Sequence, residues 1–267
     1  MRANVPEYKL VAPRSLSNAL EMLAAEPGAW RAVAGCTDVM VLFEAGKLTH
    51  RRWISIRGLP ELRGIAVTPE HVTLGALTSY TEVRRSAVLA DEFPMLVEAA
   101  ALTGGIATQN RGTLGGNIVN ASPAADTPPA LLVYDARIEL VSARGSRWLP
   151  YAQFHLGYKR MDLEPDELLS RIRLPRQFQE WRQVYRKVGT RRAQAISKVC
   201  FAAAASGGHI RIGLGSVAPV PLLVVSTSGS VREDLEKAVT PIDDVRSTAR
   251  YRALVARNLL EEFLRPT

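Results

Sequence analysis

From Thr103 to Asp126 the chain reads TGGIATQNRGTLGGNIVNASPAAD. Five glycines fall in these 24 residues, among hydroxyl and amide side chains and a single acid. Glycine is used where a backbone must take unusual angles or come close to another atom. Ordinary core sequence flanks the run on both sides, so it reads as backbone wrapped around a ligand. Within it, Thr113 precedes Gly115 and Gly116, with Asn117 and Asn120 just beyond. Hydroxyl and amide groups beside bare backbone suit the polyhydroxy chain and phosphates of a nucleotide cofactor. A tight irregular loop packed inside the fold is the alternative, and the density of polar groups weighs against it. Asp126 stands between two roles: a ligand contact, or a cap for a helix starting at Thr127.

A second candidate lies upstream. Ala34, Gly35, Cys36, Thr37 and Asp38 form a polar loop between a strand and a helix. Backbone N–H groups at such a junction can hold phosphate. The alternative is an ordinary turn capped by Thr37 or Asp38. Cys36 reads as a small loop residue, or as a thiol activated by the helix N-terminus. A third glycine motif fails. Gly213, Gly215 and Ala218 match the G-x-G-x-x-A fingerprint after a strand, but Pro219 and Pro221 stand where that fingerprint needs a helix.

Other chemistries are missing from the pattern. His50, His71, His155 and His209 are isolated, with no metal-ligand spacing. There is no G-x-S-x-G elbow and no Walker A sequence. Two cysteines, Cys36 and Cys200, make no disulfide framework and cannot hold an iron–sulfur cluster alone. The 267 residues carry a net charge of +8, but the basic residues are dispersed and aromatics are only 6%. This argues against nucleic acid and for an acidic partner or an anionic cofactor. No apolar run approaches the roughly 18 residues of a membrane span. The first ten residues, MRANVPEYKL, lack an apolar h-region. A cytoplasmic protein is expected.

Periodicity predicts helices over 15–26, 39–45, 82–88, 94–102 and 127–134. Strands are expected at 30–33, 53–56, 71–75 and 137–141. Composition shifts after Pro175. Three strands, 181–187, 198–205 and 209–217, and two helices follow, so a boundary falls near 176. In the last helix Tyr251, Leu254, Val255, Asn258, Leu259 and Phe263 recur at helical spacing.

These motifs together resemble a known family. Ala34-Gly35-Cys36-Thr37-Asp38 followed by Thr113-Leu114-Gly115-Gly116-Asn117 looks like the paired FAD-binding signature of the molybdenum hydroxylases, in their medium, flavin-carrying subunit. Asp126 with its flanking alanines, Gly157-Tyr158-Lys159, the 186–192 segment RKVGTRR and the 241–246 segment PIDDVR agree with it. The resemblance implies an α+β fold: a two-subdomain FAD-binding domain of the vanillyl-alcohol-oxidase/PCMH type over 1–176, divided near 57, and a C-terminal domain over 177–267. It implies that Val33, Ala34, Gly35, Cys36, Thr37, Asp38, Thr113, Gly115, Gly116 and Asn117 hold the pyrophosphate and ribityl region of FAD. Asn120 and Asp126 match further polar contacts. Leu169 falls where relatives pack an apolar side chain near the flavin ring, and Lys187 matches a basic residue near it. Partner chains are expected to carry the molybdenum cofactor and 2Fe-2S clusters, with NAD as a possible acceptor. A free-standing FAD oxidase and a basic scaffold with a vestigial loop are the competing readings. Cys36 departs from the usual glycine; a positive φ there would strain it. The segment from Val217 to Thr240 looks short, so a trimmed C-terminal domain is expected.

Overall fold

The computed structural model describes residues 7–191 and 194–265; Arg192 of the 186–192 motif and the first six residues lie outside them. Among the described residues, three larger sheets of different character and one two-stranded hairpin, His155–Gly157 with Arg160–Met161, make up the β structure.

The first is small and parallel. Strand Arg52–Ser55 lies at its centre, between Lys9–Val11 and Arg31–Val33. Parallel neighbours need crossovers, and helices Leu16–Ala25 and Thr37–Glu44 supply them. Ser15 caps the first helix, accepting the Asn18 N–H at 3.2 Å, and Ala19, Leu20 and Leu23 are buried against Ile54 and Trp30. The second helix ends at Gly46, whose φ of 67° closes the turn.

The second sheet is antiparallel, in the order Ile65–Val67, His71–Gly75, Leu168–Pro175, Arg137–Ser142, Gly145–Pro150. Between His71–Gly75 and Arg137–Ser142 the chain leaves the sheet and forms six short helices. Their apolar faces, among them Val83, Leu89, Leu96, Leu114 and Leu131, share one core with Leu74, Ile138 and Ile172. The glycine-rich segment is therefore seated on this sheet.

The third sheet is an antiparallel meander of Arg182–Val188, Val199–Ser206, His209–Gly215 and Leu222–Thr227. Its second strand is buried on both faces. Cys200, Ala202 and Ala204 join the core of the second sheet, while Val199, Phe201 and Ala203 join Leu260 and Phe263 of the last helix, Ala249–Leu264. Small residues let the helix Pro128–Val133 lie close to this sheet. A Cβ at Gly213 would stand 2.0 Å from the Pro129 carbonyl oxygen.

Several sequence expectations shift. The helix expected over 82–88 is two helices, Tyr80–Arg85 and Ala87–Glu92, parted at Ser86. A capping box starts the first one early: Ser79 Oγ accepts the Glu82 N–H, and Glu82 accepts the Ser79 N–H at 2.7 Å. The glycine-rich stretch is not bare loop, since it contains helices Ile106–Gln109 and Leu114–Val119. The region from Val217 to Thr240 holds one of the two expected C-terminal helices, Val231–Ala238, and an additional strand, Leu222–Thr227. That strand is a sheet edge, with Val224 and Ser226 buried and Val225 60% exposed. The last helix buries Arg252, Ala256, Leu260 and Phe263, leaving Tyr251 and Leu254 exposed. Arg252 reaches inward to the Ser216 carbonyl at 3.0 Å and to Asp244 at 2.6 Å. A buried ion pair therefore rotates the helix away from its most apolar stripe.

A Gly213→Ala substitution adds one methyl where backbone already fills the space. It is expected to cost about 2 kcal/mol or more, read as a lowered urea midpoint. An unchanged midpoint would show that the helix and sheet can part freely.

Candidate functional site: a two-part backbone cradle

The two halves of the candidate site meet through backbone. A Cβ on Gly35 would stand 1.9 Å from the Arg111 carbonyl oxygen, so only glycine allows the upstream loop to touch the 111–113 segment. Ala34, Gly35 and Thr113 share one cleft of about 210 Å³ with Arg57, Arg63 and Arg111. The guanidinium groups of Arg57 and Arg111 pair with no carboxylate among the described residues. Glu82 is the one acid in the same lining, so three arginines face a single carboxylate.

The upstream half also offers donors. Cys36 has φ 61° and ψ 9°, a left-handed conformation, at the entrance to helix Thr37–Glu44. The turn leaves the backbone N–H groups of Gly35, Cys36, Thr37 and Asp38 without an acceptor among the described residues. Successive free N–H groups at a helix start attract anions. Val33, by contrast, is buried against Trp53 and Leu48 and supports the loop from below.

The downstream half is built differently. Thr113 caps helix Leu114–Val119, accepting the Gly116 N–H at 3.1 Å. The Leu114 and Gly115 N–H groups donate to Thr78 and Ala76 carbonyls, both at 2.9 Å. These first-turn donors are spent inside the protein. Close packing, the alternative weighed for this stretch, accounts for two of its glycines. A Cβ at Gly115 would meet the Ala76 Cβ at 2.7 Å, and one at Gly112 would meet the Tyr80 ring at the same distance. Gly116 differs: it is exposed, and its Cβ would crowd only the Thr113 hydroxyl. Asn117 Oδ1 accepts from the Thr127 hydroxyl at 2.5 Å, and Asn120 Oδ1 accepts from Lys159 at 3.1 Å.

Asp126 belongs to a separate, buried cluster. Its Oδ2 accepts from Lys187 Nζ at 2.7 Å, and its Oδ1 accepts from Ser197 Oγ at 2.6 Å and Cys200 Sγ at 3.2 Å. It makes no capping bond; Thr127 is the N-cap residue and Pro128 follows at the first helical position. The Tyr185 hydroxyl donates to the Asp126 carbonyl at 2.8 Å. Burial, with the Asp126 carboxylate nearby, pushes the Cys200 thiol well above its ordinary range. Burial raises the Tyr80 hydroxyl in the same way, and the carboxylates of Asp126 and Asp38 add to it. Lys187 also donates to the Leu102 carbonyl at 2.8 Å. It lines a second, open cleft of about 530 Å³ with Leu102, Val188, Gly189, Thr190 and Arg191. Leu169 lines neither cleft; it is buried in the core at a register shift of strand Leu168–Pro175.

Sequence reasoning overlooked Arg57, Arg63, Ser197 and Tyr185. The two arginines come from the turns after strand Arg52–Ser55, and nothing local distinguishes them from the other scattered basic residues. Ser197 and Tyr185 reach Asp126 only through the third sheet.

Two measurements check this geometry. Cys36→Gly relieves a left-handed β-carbon and is expected to raise stability by up to about 1 kcal/mol; a lower melting temperature would contradict the backbone described. An alkylating reagent at pH 8 should label Cys36 in the native chain and spare Cys200, which stays protonated below its raised pKa, until denaturant is added. Labelling of both thiols at equal rates would show that the Asp126 cluster is open.

Comparison with known proteins places this geometry. The family model described as the FAD binding domain in molybdopterin dehydrogenase matches residues 6–177. The xanthine dehydrogenase FAD-binding subunit of Escherichia coli O157:H7 is 28% identical, over 94% of this chain and 92% of the relative. The carbon monoxide dehydrogenase medium chain of Hydrogenophaga pseudoflava is 27% identical, over 97% and 96% of the two chains. A solved structure of carbon monoxide dehydrogenase from Hydrogenophaga pseudoflava superposes with a TM-score of 0.89 over 96% of each chain, at 27% identity. The α+β fold expected above is shared with it. Among the described residues, no helix is long and apolar enough to cross a membrane. The family match spans well over half the sequence, and the chain belongs to the FAD-binding family of the molybdopterin dehydrogenases, as an FAD-dependent oxidoreductase subunit.

Proposed function

We propose that this chain is the electron-transfer subunit of a three-part molybdenum hydroxylase. A large partner with the molybdenum cofactor oxidises the substrate, and a small partner's 2Fe-2S clusters deliver the electrons. Through the FAD held here, those electrons pass to NAD or another acceptor. The observation that carries this reading is the row of free N–H groups from Gly35 to Asp38, held by Gly35 against Arg111 beside an arginine-lined cleft. That donor set fits a pyrophosphate. Bound FAD supplies the redox chemistry, taking electrons singly and releasing them in pairs.

The protein's own residues do the holding. Gly35, Cys36, Thr37 and Asp38 donate to phosphate oxygens, and Arg57, Arg63 and Arg111 neutralise them. Gly116, with no side chain, leaves room above helix Leu114–Val119, while Asn117 and Asn120 border that space. Lys187, pinned by Asp126, contributes an ammonium to the wall of the open cleft whose charge is offset by that carboxylate. Two cysteines fall short of the four thiolates an iron–sulfur cluster takes, so electrons enter across an interface. The FAD-holding part is assigned to 1–176, in subdomains 1–57 and 58–176, and the C-terminal part to 177–267.

The native chain should purify with a flavin absorption spectrum, or acquire one with added FAD. Gly116→Trp should abolish it while leaving the melting transition in place, because Gly116 faces outward. A chain that binds no FAD would overturn the function, and a Gly116→Trp chain that keeps it would overturn the cradle. Bound FAD should also slow alkylation of Cys36.

A further inference from the structure

The hairpin of strands His155–Gly157 and Arg160–Met161 lies against the far end of the cradle helix. Its turn residue Lys159 has φ 57°, a left-handed conformation that a β-carbon residue takes only when its surroundings hold it there. The Lys159 ammonium donates to the Asn120 carbonyl, and to Asn120 Oδ1 at 3.1 Å. In the same hairpin, His155 Nε2 donates to the Ile118 carbonyl at 3.0 Å. Asn120 is the C-cap residue of helix Leu114–Val119, and Thr113 caps the other end. A cation at a helix C-terminus also complements the exposed carbonyl dipoles. Gly116 and Asn117 lie between these two clamps.

We propose that Lys159 is a positioning residue for FAD: its ammonium fixes the C-terminal end of helix Leu114–Val119 and so the placement of Gly116 and Asn117. The inference rests on the FAD reading above. The bonds to both oxygens of Asn120 hold the ammonium at the helix end. Removing it leaves the helix capped at one end only, and the phosphate donors lose their fixed spacing to Gly116 and Asn117.

The test uses the full chain, stripped of flavin and titrated with FAD by fluorescence quenching. Lys159→Met should weaken FAD binding about tenfold or more, with the melting temperature of the flavin-free chain lowered by about 4 °C at most. Lys159→Arg should restore most of the affinity. If Lys159→Met does not fold, Lys159→Gln is read the same way, since its head can donate to Asn120 but carries no charge. Wild-type affinity in the uncharged variant overturns the role and leaves the FAD reading standing. A loss of affinity matched by a loss of stability, without rescue by arginine, also overturns it. A wild-type chain that binds no FAD overturns both.

Discussion

Backbone-to-backbone approach is the constraint on which the arrangement depends. Among the places where a β-carbon would collide with main chain of a remote segment, three join different layers: Gly35 with Arg111, Gly115 with Ala76 and Gly213 with Pro129. Each contact joins a different pair of layers. The first draws the parallel N-terminal unit onto the helical insertion of the second sheet. The second seats the cradle helix on the strand end at Ala76. The third lays helix Pro128–Val133 on the C-terminal meander. Packing at this range makes the cradle a rigid product of the three units rather than a loop waiting to close.

Electrostatics then assigns roles. The free N–H groups and unpaired arginines gather on one side, around Gly35 and Arg111. On the other side, positive charge is held down by a carboxylate: Lys187 and Asp126 are both almost wholly buried and bonded to each other. A buried pair costs desolvation and is maintained only with further hydrogen bonds. Ser197, Cys200 and the Leu102 carbonyl provide them. The pair ties Asp126, two residues before helix Pro128–Val133, to the first strand of the third sheet, so the ammonium beside the open cleft has a fixed position. The same logic appears at Arg252, Asp244 and Ser216, where an internal ion pair orients the last helix.

Much of the architecture could be read from local pattern. The strand His71–Gly75 and the helix Pro94–Leu102 match the expected 71–75 and 94–102, because alternation and a proline at the first helical turn are local signals. The two motifs around Gly35 and Gly115 were legible because glycine density and amide side chains are visible in one dimension. The reason for each glycine was not. Gly112 and Gly115 answer to Tyr80 and Ala76, which lie far away in the sequence. Asp126 offered ligand contact or helix cap; it makes no capping bond, and its partners within the chain come from the third sheet and the loop before its second strand.

What the sequence determined by itself was therefore the family and, with it, the FAD cofactor, because the motifs that carry them reside in short runs with their own chemistry. What the tertiary structure alone decided was which half offers free donors, which arginines stand beside them and which carboxylate holds Lys187. Those are distances between segments remote along the chain. They exist only after close-packed glycines have brought the backbones together, and no local pattern encodes a separation of that kind.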